Sequence, residues 1–238
     1  MQVDNLVSVG RNWLPAIAGM CCLALGAGLI GVYGFFTPFV AAEFEVGVDI
    51  VNVGAILLIL IPGLVGPLVG KLVDSLPVRR ILLLGTGLAM CGLVLTSFAP
   101  QLWMAGLCFV LFALGLSMYG PVVVNAMLVK RFPGLEARAL AIAALGISFA
   151  TVLMPPITSA LLERFDWRGA LAGMAVGMLA VLWVVILTGV RPERVSQVTG
   201  GASAEPFQPW SNPVFWMIGG CVAMGLCAAG PRGGWECR

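Results

Sequence analysis

Six long runs of apolar residues, at approximately 13–41, 50–73, 79–99, 102–128, 138–162 and 169–190, constrain this chain more than any other feature. Each reaches the roughly 20 residues that an α-helix needs to cross a bilayer's hydrocarbon core. No Asp, Glu, Lys or Arg falls in the middle of any run. Hydrocarbon offers no partner to backbone N–H and C=O groups, so a spanning segment must be a helix or part of a closed barrel. These runs lack the alternation of barrel strands. Composition agrees: 60% of residues are hydrophobic and 10% charged, whereas a soluble domain has about 45–50% and about 25%. The expected fold class is an all-α membrane protein: a six-helix N-terminal bundle plus a partial seventh helix that begins near Pro213 and fails near Gly230.

The expected organisation is a six-span bundle over 1–190, a Gly-, Ser- and Pro-containing cytoplasmic linker over 191–212, a partial seventh span over 213–231, and a tail over 232–238. That tail is polar, does not continue a helix, and reads as a frameshift or premature stop. Six spans, a linker and a new span read as one half of a two-half protein. The apolar run from Trp13 to Ala42 far exceeds the h-region of about 7–15 residues in a cleavable signal, so it is expected to stay as the first span.

Charge excludes several function classes. The net charge of +2 gives no reason to expect nucleic acid as a partner. The absence of histidine excludes imidazole metal ligation and a histidine proton switch. None of the seven cysteines forms a CxxC pair and six lie in apolar segments, where free Cys behaves as a small packing residue. No metal and no cofactor is expected. A membrane-embedded enzyme would need nucleophile–base or metal-ligand pairs within the spans, and the spans hold no such set.

Charge also orients the chain. Arg11, then Lys71, Arg79 and Arg80, then Lys130, Arg131 and Arg138, then Arg191 and Arg194 fall on one side. The other side carries Glu43, Glu45 and Asp49, an uncharged link at 99–101, and a balanced one at 163–168. Basic residues in short loops stay cytoplasmic. The expectation is a multi-pass integral protein of the plasma (inner) membrane with a cytoplasmic N-terminus and the lipid bilayer as its surroundings. Trp13, Trp103 and Trp167 stand at span ends, as interfacial tryptophans do.

Small and polar residues suggest how the helices meet. Gly26-Ala27-Gly28-Leu29-Ile30-Gly31 formally matches GxGxxG, but it sits inside a span rather than after a strand. Close helix contact, continued by Gly34, is the better reading. Gly66 with Gly70, and Gly169, Gly173 and Gly177, repeat at four-residue spacing and suggest the same. Pro38, Pro62, Pro67, Pro121, Pro155 and Pro156 can each kink a helix. Tyr33 and Thr37 share one face of the first span, Ser117 and Asn125 one stripe of the fourth, with Tyr119 off that stripe, and Ser148, Thr151 and Thr158 a broad face of the fifth. Such groups can simply bond between helices, for about 0.6 kcal/mol each. As a set they suggest a cavity, for which Tyr33, Thr37, Tyr119, Asn125 and Ser148 are the candidate substrate-binding residues.

The stretch Gly70-Lys71-Leu72-Val73-Asp74-Ser75-Leu76-Pro77-Val78-Arg79-Arg80 reads as a short charged loop between two spans. It resembles the cytoplasmic loop motif of the major facilitator superfamily, approximately G-x-L-x-D-R-x-G-x-R-R. Gly70, Leu72, Asp74, Arg79 and Arg80 match, while Ser75 and Pro77 stand where Arg and Gly are common. A second stretch looks like the fifth-span region of monocarboxylate-transporter-like members: Arg131-Phe132, Arg138-Ala139-Leu140-Ala141, Gly146-Ile147-Ser148, Pro155-Pro156 and Asp166-Trp167-Arg168. Tyr33-Gly34-Phe35-Phe36 with Glu43-Phe44 resembles the end of that branch's first span, and oxalate–formate exchangers are also similar.

The resemblance covers residues 12–190 and implies a secondary transporter working by alternating access. The solute would be a small organic anion, a monocarboxylate first among them, carried with or without a proton. It implies a cytoplasmic gate of Gly70, Asp74, Arg79, Arg80, Arg131 and Arg138, whose partners lie partly in a C-terminal half missing from this chain. The lysine that serves animal members near the outer end of the first span has Thr37 in its region here, so that role does not carry over. The alternatives are a non-functional truncated fragment and a carrier or exporter of another small solute.

Overall fold

A computed structural model describes residues 13–190, and all regular structure among them is helical. The elements are α1 (Leu14–Glu43), α2 (Val48–Ser75), α3 (Val78–Phe98), α4 (Leu102–Tyr119), α5 (Pro121–Arg131), α6 (Glu136–Arg164) and α7 (Trp167–Gly189). With α4 and α5 counted together, six helical segments among the described residues are long and apolar enough to cross a membrane. The protein is an integral multi-pass membrane protein. The expected linker over 191–212, the partial seventh span over 213–231 and the tail over 232–238 lie outside the described residues.

The fourth span departs from the expected single helix. Gly120 takes an extended conformation, with φ −75° and ψ −169°, and Pro121 then opens α5. Proline has no N–H to continue the ladder but suits the first helical position, so the same residue ends α4 and starts α5. This break removes the supposed Ser117–Asn125 stripe, because the two no longer share a continuous helix. Pro38, Pro62, Pro67, Pro155 and Pro156 all lie inside unbroken helices. The supposed charged loop at 70–80 is also mostly helix. Gly70 to Ser75 finish α2, Val78, Arg79 and Arg80 open α3, and residues 76–77 are the whole connection.

The packing follows a rule that the residues do not spell out. Span one packs on span five (α6), and span four packs on span two. Span three packs on span four, and span six (α7) packs on span one. Span three also packs on span six. Advancing every span by three maps each contact onto another in this set. Because three crossings reverse direction, the second triplet is inverted relative to the first, the three-plus-three arrangement of transporter bundles. The centre of the bundle holds Ile81, Leu82, Phe112, Tyr119, Met127 and Leu182, all fully or almost fully buried. The most apolar windows of α2 and α6 are only 6% and 17% buried, so these two helices carry the bundle's least covered faces.

Lipid tails are as apolar as leucine, so close backbone approach, not hydrophobicity, holds spans together. The tightest approach is α3 on α4. A β-carbon on Gly92 would stand 2.6 Å from the Phe112 nitrogen and 2.8 Å from the Cys108 oxygen, and Gly115 faces the Ala89 backbone just as closely. Gly26 packs on Leu116 and Tyr119, and Gly28 on Met154, as the first-span reading expects. The remaining glycine expectations are corrected. A β-carbon at Gly31, Gly34, Gly66, Gly70, Gly173 or Gly177 would meet nothing within 4 Å, and at Gly169 only the Phe165 side chain. Four-residue spacing puts small residues on one face but leaves open whether a neighbour lies there.

Candidate functional site

Three features stand out: an ion pair at the basic end of the bundle, an arginine hub at the opposite end, and a cavity beneath that hub. At the basic end, Asp74 in the last turn of α2 faces Lys130 in the last turn of α5, with Lys130 Nζ 3.1 Å from Asp74 Oδ1. The side chains are 78% and 50% exposed. Arg79 Nη2 donates to the Leu187 carbonyl at 3.4 Å, tying the start of α3 to the end of α7. Arg80 and Arg138 are exposed, and Arg131 and Gly70 half-buried. Ser75 turns its hydroxyl back onto the Leu72 carbonyl at 3.1 Å. A hydroxyl bonded within its own turn supplies no cation where an arginine is common. From spacing alone Lys130 contributes only to the charge bias, because so distant a partner leaves no local signature.

At the opposite end Arg168 joins three helices. Its Nη1 donates to the carbonyls of Ser97 at 2.9 Å and Ala99 at 3.0 Å, and its Nη2 lies 3.3 Å from Glu43 Oε1. Ser97 Oγ returns a bond of 2.5 Å to the Arg168 carbonyl. The guanidinium also lies 4.8 Å from the Trp167 ring centroid and 5.9 Å from that of Phe44. Helix C-termini leave carbonyls without intrahelical partners and carry partial negative charge, so a guanidinium there meets both needs. The sequence offered only a charge-balanced loop at this place. Trp167, expected as an interfacial anchor, is buried beneath Arg168, while Trp103 is exposed and bonds Gln101 Oε1 through its indole N–H.

Below the hub lies a cavity of about 190 Å³ between α1, α2, α3, α4 and α7. Phe36, Phe109, Phe112 and Trp167 supply its aromatic walls, with Phe109 packed on Tyr33 and Phe112 at centroid distances of 5.5 and 5.4 Å. Its hydroxyl groups are already engaged. Tyr33 Oη donates to the Val51 carbonyl at 2.5 Å, Thr37 Oγ1 to the Tyr33 carbonyl at 3.3 Å, and Thr96 Oγ1 to the Gly92 carbonyl at 2.8 Å.

Of the five candidate substrate-binding residues, Tyr33 and Thr37 meet in this cavity. Tyr119 is fully enclosed beside Gly26, and its hydroxyl has no hydrogen-bond partner among the described residues. Asn125 and Ser148 are exposed on α5 and α6, outside the cavity lining. The shared face read for Ser148, Thr151 and Thr158 does not hold. Thr158 turns inward to Met174 Sδ at 3.7 Å, while Ser148 and Thr151 face outward.

Comparison with known proteins adds the following. Residues 17–231 match the family described as Major Facilitator Superfamily. The chain is 41% identical over 92 residues to monocarboxylate transporter 12 of Xenopus laevis, which is 38% of this chain and 20% of that protein. It is 40% identical over 92 residues to monocarboxylate transporter 12 of Homo sapiens, 38% and 17% of the two chains. With that of Rattus norvegicus it shares 37% identity over 110 residues, 45% and 22% of the two chains. The matched stretch therefore spans about a fifth of each relative's length.

Proposed function

Because the chain belongs to the major facilitator superfamily, we propose that its six spans form one half of a secondary transporter that moves a small organic anion, in first place a monocarboxylate, by alternating access. The solute reading rests on what the relatives are named for. The observation that carries the mechanism is the position of the uncovered surface. The packing leaves the faces of α2 and α6 least covered, and these helices are exchanged by the three-plus-three relation. Symmetry-related open faces suit a second bundle that rocks against the first.

In this reading the N-terminus and the 76–77 and 132–135 links face the cytoplasm of the plasma (inner) membrane. Asp74 with Lys130, together with Gly70, Arg79, Arg80, Arg131 and Arg138, forms this half's share of the cytoplasmic gate. An exposed ion pair is worth about 0–1 kcal/mol, little enough to break and re-form on each cycle. Tyr33, Thr37, Tyr119, Asn125 and Ser148 shape the path. Asn125 and Ser148 present polar groups on open faces, whereas Tyr33 and Thr37 turn their hydroxyl protons into the backbone and set the wall.

The test is uptake by proteoliposomes holding the full protein, using labelled short monocarboxylates beside amino acids, sugars and amines, with and without an inward proton gradient. Saturable carboxylate uptake is expected. Uptake of another class alone would overturn the solute, and no uptake of any class would overturn transport itself.

A further inference from the structure

We propose that the cavity beneath Arg168, whose wall Tyr33 and Thr37 share with the anion path, is a second binding site and that it takes a small uncharged aromatic molecule. An anion in low dielectric needs donors or a cation. The cavity lining includes no charged side chain, and the protons of Tyr33, Thr37 and Thr96 all go to backbone carbonyls. A carboxylate there would be buried without compensation. Water fares little better, since it needs two to four polar partners. The volume of about 190 Å³ suits a small aromatic guest, and the tilted rings of Tyr33, Phe109 and Phe112 offer the faces and edges that aromatic pairing prefers.

The cavity also has a way in and a lid. Ile50 and Val53 belong to its lining yet are 55% and 50% exposed, so the cavity opens at the surface of α2, and an uncharged guest would enter there. At its far rim Phe44 and Trp167 line the cavity and lie against Arg168, which Glu43 holds from α1. The hub thus sets how firmly the aromatic rim is closed, and the guest would lie among α1, α2, α3, α4 and α7.

Saturation-transfer NMR on the purified chain in nanodiscs tests this with fluorobenzene as the probe, benzoate as its charged counterpart, and empty nanodiscs as the partition control. Saturable fluorobenzene binding that benzoate does not displace is expected. Gly106→Leu should fill the cavity from a lining position where a β-carbon meets nothing within 4 Å, and should weaken binding at least about tenfold. Val53→Trp should do the same from the rim without entering the core. Gly173→Leu, on open surface elsewhere, should leave binding unchanged. Binding no different from that of empty nanodiscs, displacement by benzoate, or full binding in both filled variants would overturn the proposal.

Discussion

Arg79 and Arg168 are each the second residue of a helix, and each donates to a carbonyl where the other's helix ends. Arg79 at the start of α3 reaches Leu187 in the last turn of α7, and Arg168 at the start of α7 reaches Ser97 and Ala99 at the end of α3. The two antiparallel helices are therefore clamped at both membrane faces by residues that the three-plus-three relation exchanges. The clamps are unequal, since Arg168 makes two short bonds and an ion pair where Arg79 makes one long bond.

That inequality predicts different costs. Arg168→Gln should destabilise the bundle by about 2 kcal/mol, the range for hydrogen bonds to a charged group. Arg79→Gln should cost under about 1 kcal/mol. Arg168→Lys should recover only part of the loss, because an ammonium cannot reproduce the guanidinium fork. Thermal unfolding of the three variants in one detergent checks the order, and equal losses at the two arginines would contradict it.

The glycines divide by surroundings rather than by spacing. Gly92→Ala should cost about 1–3 kcal/mol through overpacking against the Phe112 backbone. Gly173→Ala and Gly177→Ala should be neutral or raise stability by up to about 1 kcal/mol, since alanine is the better helix former. Melting temperatures in lipid nanodiscs separate the two groups.

The Asp74–Lys130 pair should matter for turnover far more than for folding. Asp74→Asn and Lys130→Gln should each shift stability by under about 1 kcal/mol. Solute uptake should fall in both, and the exchanged pair Asp74→Lys with Lys130→Asp should recover part of it. Unchanged uptake in the single variants would remove the pair from the gate.

Half-buried Tyr33 and fully buried Tyr119 should respond in opposite directions to loss of their hydroxyls. Tyr33→Phe removes the bond to Val51 and should cost about 0.5–1.5 kcal/mol. Tyr119→Phe removes a hydroxyl with no partner among the described residues and should be neutral or stabilising by about 1 kcal/mol. Chemical denaturation or heat unfolding of the two variants reads the sign directly.

Much of the architecture was legible because lipid imposes it locally. Backbone groups in hydrocarbon must bond within their own helix, so length and apolarity alone placed α1, α2, α3, α6 and α7 to within a few residues. Side-chain positions were less legible. Tyr33 and Thr37 do share a face, but Thr158 turns away from Ser148, and the break at Gly120 separates Ser117 from Asn125. Lys130 and Arg168 each find their partners across long stretches of chain, Asp74 for one and Glu43, Ser97 and Ala99 for the other. No spacing rule reaches that far.

Six spans among the described residues, the charge asymmetry between the two ends, and the motif residues of a facilitator bundle can all be read from the residues in order. Each follows from a local cost: burying a backbone group or a charge in hydrocarbon. Only the tertiary structure decided which helix faces meet. It selected Gly92 and Gly115 rather than Gly173 and Gly177 for close contact, committed the hydroxyls of the cavity, and set Arg168 over its rim. Those choices depend on which neighbour stands opposite each face, and that is a property of the assembled bundle rather than of any one helix.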